Sequence, residues 1–239
     1  MTIKQRAGKF IAKISPVSPE ILTTVRVEFR AFRNRISYRL NPFKRLSVSK
    51  FISADNISLN IGCGPFGQDG WVNVDLMKLR NVSFTYDSRR HLPFKDQTVE
   101  RIRVEHFFEH LDKSFEVPFF LEECKRVMKE GAVLRIVVPD IEKFITAYYK
   151  NDKALWTELG YNIGALPEGF DTKVAVLNHI FRQNGEHKYA YDFEALNYVL
   201  AQQGFKNITR QHYKESLDEL LKDDQENHSK HSLYVDCIK

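Results

Sequence analysis

The chain has 239 residues, 43% of them hydrophobic, which suffices for one α/β domain with a full core. No apolar run reaches the roughly 20 residues that a membrane-spanning helix needs. The net charge of +5 is unevenly spread: residues 1–50 hold twelve Lys/Arg against two acids, Glu20 and Glu28, while the remainder holds 24 basic residues against 29 acidic ones. The basic character therefore belongs to an N-terminal segment.

Three widely spaced cysteines, Cys63, Cys124 and Cys237, form no C-x-x-C pair. That argues against a zinc ribbon or a disulfide framework and fits a reducing, cytoplasmic setting. The N-terminus lacks the apolar run and small-residue cleavage site of a secretory signal.

In chain order, Ile3, Ala7, Phe10, Ile11 and Ile14 follow helical spacing. A second helix is expected to be capped by Ser18, to start with Pro19, to carry the stripe Leu22, Val25, Phe29, Phe32, Ile36 and Leu40, and to end at Asn41-Pro42. From Ile57 the texture becomes β-like: Ile57–Ile61, Trp71–Asp75, Val82–Asp87 and Val99–Val104. Phe115–Met128 reads as a helix with Glu130-Gly131 as its stop, and Val133–Val138 as the clearest strand. Asp140 then caps a helix through Tyr149, another helix runs from Thr172 to Arg182, and Asp192 caps one that ends at Gly204. Asn207–Tyr213 and Ser232–Ile238 are the last β-like runs. Strands alternating with helices predict an open, mainly parallel sheet.

Gly62-Cys63-Gly64-Pro65-Phe66-Gly67 fits G-x-G-x-x-G, a pattern shared with dinucleotide-binding loops. Such a loop opens a helix whose N-terminus faces a pyrophosphate, with an acidic ribose ligand about 20 residues later. Here Asp75 follows Gly64 by only 11 residues, with Pro65, Gly67 and Gly70 between them. A phosphate-free adenosyl ligand needs only close backbone approach and a carboxylate for its ribose.

Leu59-Asn-Ile-Gly-Cys-Gly-Pro, Gly70-Trp-Val-Asn-Val-Asp-Leu, Leu92-Pro-Phe-Lys-Asp, Glu109-His-Leu and Val138-Pro-Asp together resemble the small bacterial class I, S-adenosylmethionine-dependent methyltransferases of the type 11-like family. Members often lie among polysaccharide and lipopolysaccharide synthesis functions. The resemblance covers Leu59 to Asp140, resumes at His187-Lys-Tyr-Ala-Tyr-Asp, Gly204-Phe and Ser232-Leu-Tyr-Val-Asp, and leaves residues 1–55 uncovered. It implies a Rossmann-like seven-stranded sheet over 52–239, mainly parallel with antiparallel C-terminal strands and a shortened first crossover, preceded by a basic helical extension over 1–51.

The resemblance also implies residue roles. Gly62, Cys63 and Gly64 wrap the methionine part of S-adenosylmethionine, with Asn60 at the position where many class I enzymes have an acid. Asp75 holds the ribose hydroxyls, with Leu76 beside it. Asp87 accepts from the adenine amino group and Leu92 packs on the ring. Glu105 and His106 stand near the sulfonium. The reaction implied is O-methylation of a sugar, glycan or other small polar acceptor, and the alternative is a non-catalytic binding or assembly protein.

A hydroxyl acceptor must lose a proton, and histidine is the first candidate base at neutral pH. His187 leads, His106 is second, and Tyr189 and Tyr191 are candidate pocket walls. His106-Phe-Phe-Glu109-His110 also spells H-x-x-E-H, an inverted zinc-hydrolase motif, for which no third ligand stands at a recognisable spacing. The absence of a Pro-Pro-aromatic motif after the fourth strand argues against nucleic-acid base methylation. For the basic segment three readings stay open: packing on the domain, peripheral attachment of residues 1–45 to an anionic inner membrane face, or polyanion binding.

Overall fold

The computed structural model describes residues 16–163 and 170–239. The helix expected around Ile3–Ile14 lies outside the described residues.

Helix α1 (Pro19–Leu40) begins after Ser18, whose Oγ accepts from the Ile21 N–H. Asn41 does not end the helical segment. Its Oδ1 accepts from the Phe43 and Lys44 N–H groups and caps a further helix, α2 (Pro42–Ile52). Proline stops a helix but also starts one, since its missing N–H is an orphan in the first turn anyway.

Seven strands follow: β1 (Ile57–Ile61), β2 (Val72–Asp75), β3 (Phe84–Thr85), β4 (Val99–Glu105), β5 (Met128–Pro139), β6 (Lys206–Gln211) and β7 (Ser232–Ile238), in the order β3-β2-β1-β4-β5-β7-β6. β7 runs antiparallel to β5 and to β6; the other pairs are parallel. This is the Rossmann-like methyltransferase sheet that the motif order implied. The first crossover, residues 62–71, contains turns and no helix, also as expected.

Helix α3 (Glu116–Val127) links β4 to β5 and is followed directly by β5, so Glu130-Gly131 is part of that strand rather than the helix stop. Beyond β5, α4 (Ile141–Lys150) is capped by Asp140, α5 (Lys153–Glu158) by Asp152, α6 (Lys173–Arg182) by Thr172 and α7 (Phe193–Gln202) by Asp192. Phe144, Ala147, Trp156, Val176 and Ile180 of α4–α6 bury one another in a small second core.

The two faces of the sheet differ sharply. Leu59, Ile61, Val74, Ile102, Val104, Leu134 and Ile136 share the main core with Phe120, Leu121 and Cys124 of α3 and Val48 of α2. In the other phase of the strands, paired positions form one row across five strands: Asn73, Asn60, Arg103, Arg135 and Asp236. All five are buried. Polar groups are buried without heavy penalty only when bonded. Asn60 and Asn73 bond each other, and Asn73 also bonds Gln68, while residues 212–231, between β6 and β7, provide partners for the rest of the row. Asp224 takes Arg135 in two bonds of 2.9 and 2.7 Å, and Asp236 takes its third at 2.7 Å. Arg103 donates to the Leu221 carbonyl at 2.6 Å and to that of Asp223. Arg101 meets Asp218 at 2.8 Å.

Candidate active site

Strand order reverses between β1 and β4, and in open α/β sheets ligands bind beyond the carboxyl ends of strands at such a point. Gly62 follows β1 and His106 follows β4. A cavity of about 430 Å³ opens there, lined by Gly62, Gly64, Asp75, Leu76, Asp87 and His106 among others, and its size is ordinary for small-molecule sites. A larger depression of about 600 Å³ near Asp140, Arg210 and Tyr213 contains none of the glycine-loop residues.

The glycine loop is shaped by its lack of side chains. Gly62 has φ +68°, and a Cβ there would stand 2.6 Å from the Phe107 Cβ. Gly64 has φ +52°, and a Cβ there would meet nothing within 4 Å. The Gly62 N–H donates to the Val74 carbonyl at 2.9 Å. The Asp75 carboxylate accepts from the Gly64 N–H at 2.9 Å and from the Met77 N–H at 2.7 Å. The bend after β1 and the carboxylate ending β2 thus form one unit.

Other expected ligands stand elsewhere. Asn60 belongs to the buried polar row, donates to Asn73 Oδ1 at 3.1 Å and does not line the cavity. Cys63 is buried behind the loop, and burial, then the Asp75 charge, pushes its thiol up to about 12; it is a packed side chain. Leu92 is buried in the main core, its N–H donating to Glu123 at 2.7 Å. Glu105 lies in the phase of Arg103, 3.5 Å from it and 2.9 Å from His228 Nδ1. Burial raises its carboxyl, but the His228 bond and the Arg103 charge outweigh that and hold it below the ordinary range.

Asp87 does reach the wall, yet most of its acceptor directions are taken. Arg89 Nε and N–H donate to Oδ1 at 2.9 and 3.3 Å, and Arg89 Nη2 and Arg35 Nη1 each stand 3.3 Å from Oδ2. A carboxylate has about four lone-pair sites, and Arg89 occupies three of them here.

Helix α1 forms one wall of the cavity through Thr23, Thr24, Val27, Glu28 and Arg30, a role that the sequence reading missed. Arg89 bridges from Asp87 to Glu28 at 2.6 Å, Arg35 reaches Asp87, Asn34 donates to the Leu76 carbonyl at 3.0 Å, and Glu20 lies 3.8 Å from Arg182. A signal was present: the only two acids of residues 1–50, Glu20 and Glu28, are the ones that meet arginines of the body.

His106 adopts φ +51°, uncommon for a residue with a side chain. Its Nε2 is 2.9 Å from Ser232 Oγ, its Nδ1 is 3.3 Å from Glu109 Oε1, and its ring lies 3.7 Å from that of His228. Only Phe108–His110 of this stretch is helical, as a 3-10 turn, so His106 and His110 do not share the helix face that the zinc-hydrolase motif requires. His187 stands off the cavity wall: its side chain is 6% exposed, with Nδ1 2.6 Å from the Ile180 carbonyl. Tyr189 and Tyr191 pack on each other at 4.8 Å and do not line the cavity either.

No protein-family model matches the chain, and no curated protein matches it. Solved structures do. One is a SAM-dependent methyltransferase from Archaeoglobus fulgidus, at 16% identity, covering 96% of this chain and 98% of that one with a TM-score of 0.44. Another, from Aquifex aeolicus, gives 15%, 90%, 97% and 0.43. Haemonchus contortus phosphoethanolamine N-methyltransferase 2, in complex with S-adenosyl-L-methionine, gives 10%, 82%, 52% and 0.45. At such values the likeness does not extend to an activity.

Proposed function

We propose that the chain is an S-adenosylmethionine-dependent methyltransferase that O-methylates a sugar, glycan or other small polar acceptor. One observation carries the reading: Gly62, Gly64 and the Asp75 carboxylate meet on one cavity beyond the strand ends where the sheet order reverses. A helix N-terminus is missing from this loop, which suits a ligand without a pyrophosphate.

The residues fit the cofactor. The open space over Gly64 admits close approach of its methionine part, and Asp75 offers its remaining lone pairs to the ribose hydroxyls. Leu76, Met77, Tyr86, Phe107 and Leu111 supply apolar surface for the rest. When bound, S-adenosylmethionine would supply a methyl group already activated for transfer to the acceptor oxygen.

The protein's task is to align the acceptor and to take its proton. We assign the base to His106, which lines the cavity, whereas His187 does not. Glu109, 3.3 Å from Nδ1, stabilises the imidazolium that forms. The polar mouth, with Asn184, Glu186 and Lys188, suits a hydroxyl-rich acceptor.

The test is mass spectrometry of the nucleoside carried through gentle purification, followed by calorimetry with S-adenosylhomocysteine. Recovery of either adenosyl compound, or a 1:1 isotherm, is expected. No binding at millimolar ligand overturns the reading.

We propose further that α1 rests on an anionic membrane face. Val25, Phe29 and Leu40 are 58, 60 and 68% exposed, and Arg26, Arg33 and Arg39 lie exposed beside them. An outward apolar stripe with basic flanks is the pattern of an interfacial helix. No helix among the described residues is long and apolar enough to cross a membrane. Sedimentation with phosphatidylglycerol vesicles, weakened by salt and absent with phosphatidylcholine, is the expected result; equal sedimentation with both would refute an electrostatic contribution.

A further inference from the structure

Glu109 ties in Lys188 and Tyr189 through its backbone carbonyl, but its side chain makes no bond among the described residues that would explain burying a carboxylate. It is 1% exposed, and neither carboxylate oxygen has a hydrogen-bond partner among the described residues. An unpartnered buried carboxylate is costly. Three histidines surround it. His106 Nδ1 is 3.3 Å from Oε1, without the alignment of a hydrogen bond, and His187 Nε2 is 3.9 Å away. Ligand atoms of Glu109, His110 and His187 all lie within 4.8 Å of one another.

The outer contacts of the two ligand histidines are those of metal-binding imidazoles. His187 Nδ1 is 2.6 Å from the Ile180 carbonyl, and His110 Nδ1 is 3.0 Å from the Glu186 carbonyl. A carbonyl can only accept, so in both rings the proton sits on Nδ1 and Nε2 keeps its lone pair. A backbone carbonyl on the second nitrogen is the device that fixes the tautomer and orientation of metal-bound histidine. The rings stand 5.0 Å apart at 73°, so they converge without stacking.

We propose that Glu109, His110 and His187 bind a first-row divalent transition ion such as zinc or iron(II), with an open coordination position toward the cavity that His110 lines. Two imidazoles and one carboxylate are a donor set for such ions, whereas magnesium and calcium call for oxygen. Ligand atoms about 2.1 Å from a shared ion stand closer together than those here, so the side chains move inward by about an ångström on loading. The site uses none of Gly62, Gly64 or Asp75, so metal uptake is measured apart from cofactor binding; it shares Glu109 with the proposed base His106, and an ion there would draw on the same carboxylate.

The test is titration of chelator-stripped full-length protein with Co²⁺, followed by d–d absorption, with zinc as competitor. One saturable equivalent per chain with visible bands, displaced by zinc, is expected. Glu109→Gln and His187→Ala should each weaken uptake by roughly 100-fold or more, since even the loss of outer-shell partners costs up to that much. Should His187→Ala not fold, the half-buried His110→Ala is read in its place. No saturable uptake by the wild type, or uptake unchanged in the folded variants, overturns the proposal. Because the readout is metal binding, it fails or succeeds separately from binding of S-adenosylhomocysteine.

Discussion

Replacing Asp75 by Asn tests the ribose assignment with the least disturbance of shape. The carboxylate holds the Gly64 N–H at 2.9 Å and the Met77 N–H at 2.7 Å. A carboxamide keeps one acceptor oxygen, which can serve Met77 or Gly64 but not both; the amide nitrogen then faces the other N–H. One bond to a charged group is lost, worth about 1.5–3 kcal/mol, and this lowers stability before any ligand is added. Bound ribose hydroxyls lose the same charge-assisted acceptor, so affinity for S-adenosylhomocysteine should fall by about 1.5–3 kcal/mol, or roughly 10- to 150-fold. Calorimetry measures the second effect and urea unfolding the first. If Asp75→Asn binds S-adenosylhomocysteine as tightly as wild type while remaining folded, Asp75 is not the ribose ligand and the cofactor reading loses its geometry.

Three further perturbations address the scaffold. Asp224→Ala leaves the fully buried Arg135 short of two bonds; breaking a buried pair costs about 3–5 kcal/mol, and a loss under about 1 kcal/mol in urea unfolding would contradict the account of the polar row. Gly62→Ala meets the Phe107 side chain, whereas Gly64→Ala carries only the strain of a left-handed residue, about 1–2 kcal/mol; equal urea midpoints for the two variants would count against the packing argument. His231 is pulled down to about 4, by burial first and then by His106 and His228. The unfolded chain, titrating near ~6.5, takes the proton first, so stability falls as pH drops from about 6.5 toward 4. Urea midpoints at pH 7.5 and 5 should differ less in His231→Asn than in wild type.

Much of the scaffold was legible because its signals are local. Ser18, Asp140, Thr172 and Asp192 each cap the helix that follows them, and the strands lie where the β-like runs stood. The meeting of the glycine loop with Asp75 was legible too, since so few residues separate them. Asn60 and Glu105 are buried off the cavity wall, for a reason that local sequence does not carry. A strand position shows its phase but not what will cover that face: Asn60 finds Asn73 on the neighbouring strand, and Glu105 finds His228 in residues 212–231. Asp87 does line the cavity, and what the sequence did not show is that Arg89, two residues on, and the distant Arg35 both turn onto its carboxylate. Asn41-Pro42 carried stop and start signals at once, and only the Asn41 side chain capping forward decides between them.

The missing first-crossover helix links these observations. In a doubly wound sheet, helices normally cover both faces. Without one between β1 and β2, the strands on that face carry Asn, Arg and Asp where an apolar helix contact would call for Val or Leu. The segment between β6 and β7 fits such a row because its carbonyls and carboxylates, at Leu221, Asp223 and Asp224, can bond arginine, which an apolar helix face cannot. Covering that face carries the chain past the carboxyl ends of β4 and β5. There the same segment sets His228 against Glu105 and His106, and Ser232 at the start of β7 against His106 Nε2. Two different needs, burying a charged face and fixing the ring at the mouth of the cavity, are thus met by one stretch of chain. A perturbation of the roof such as Asp224→Ala should therefore reach His106 as well as stability, even though Asp224 does not line the cavity.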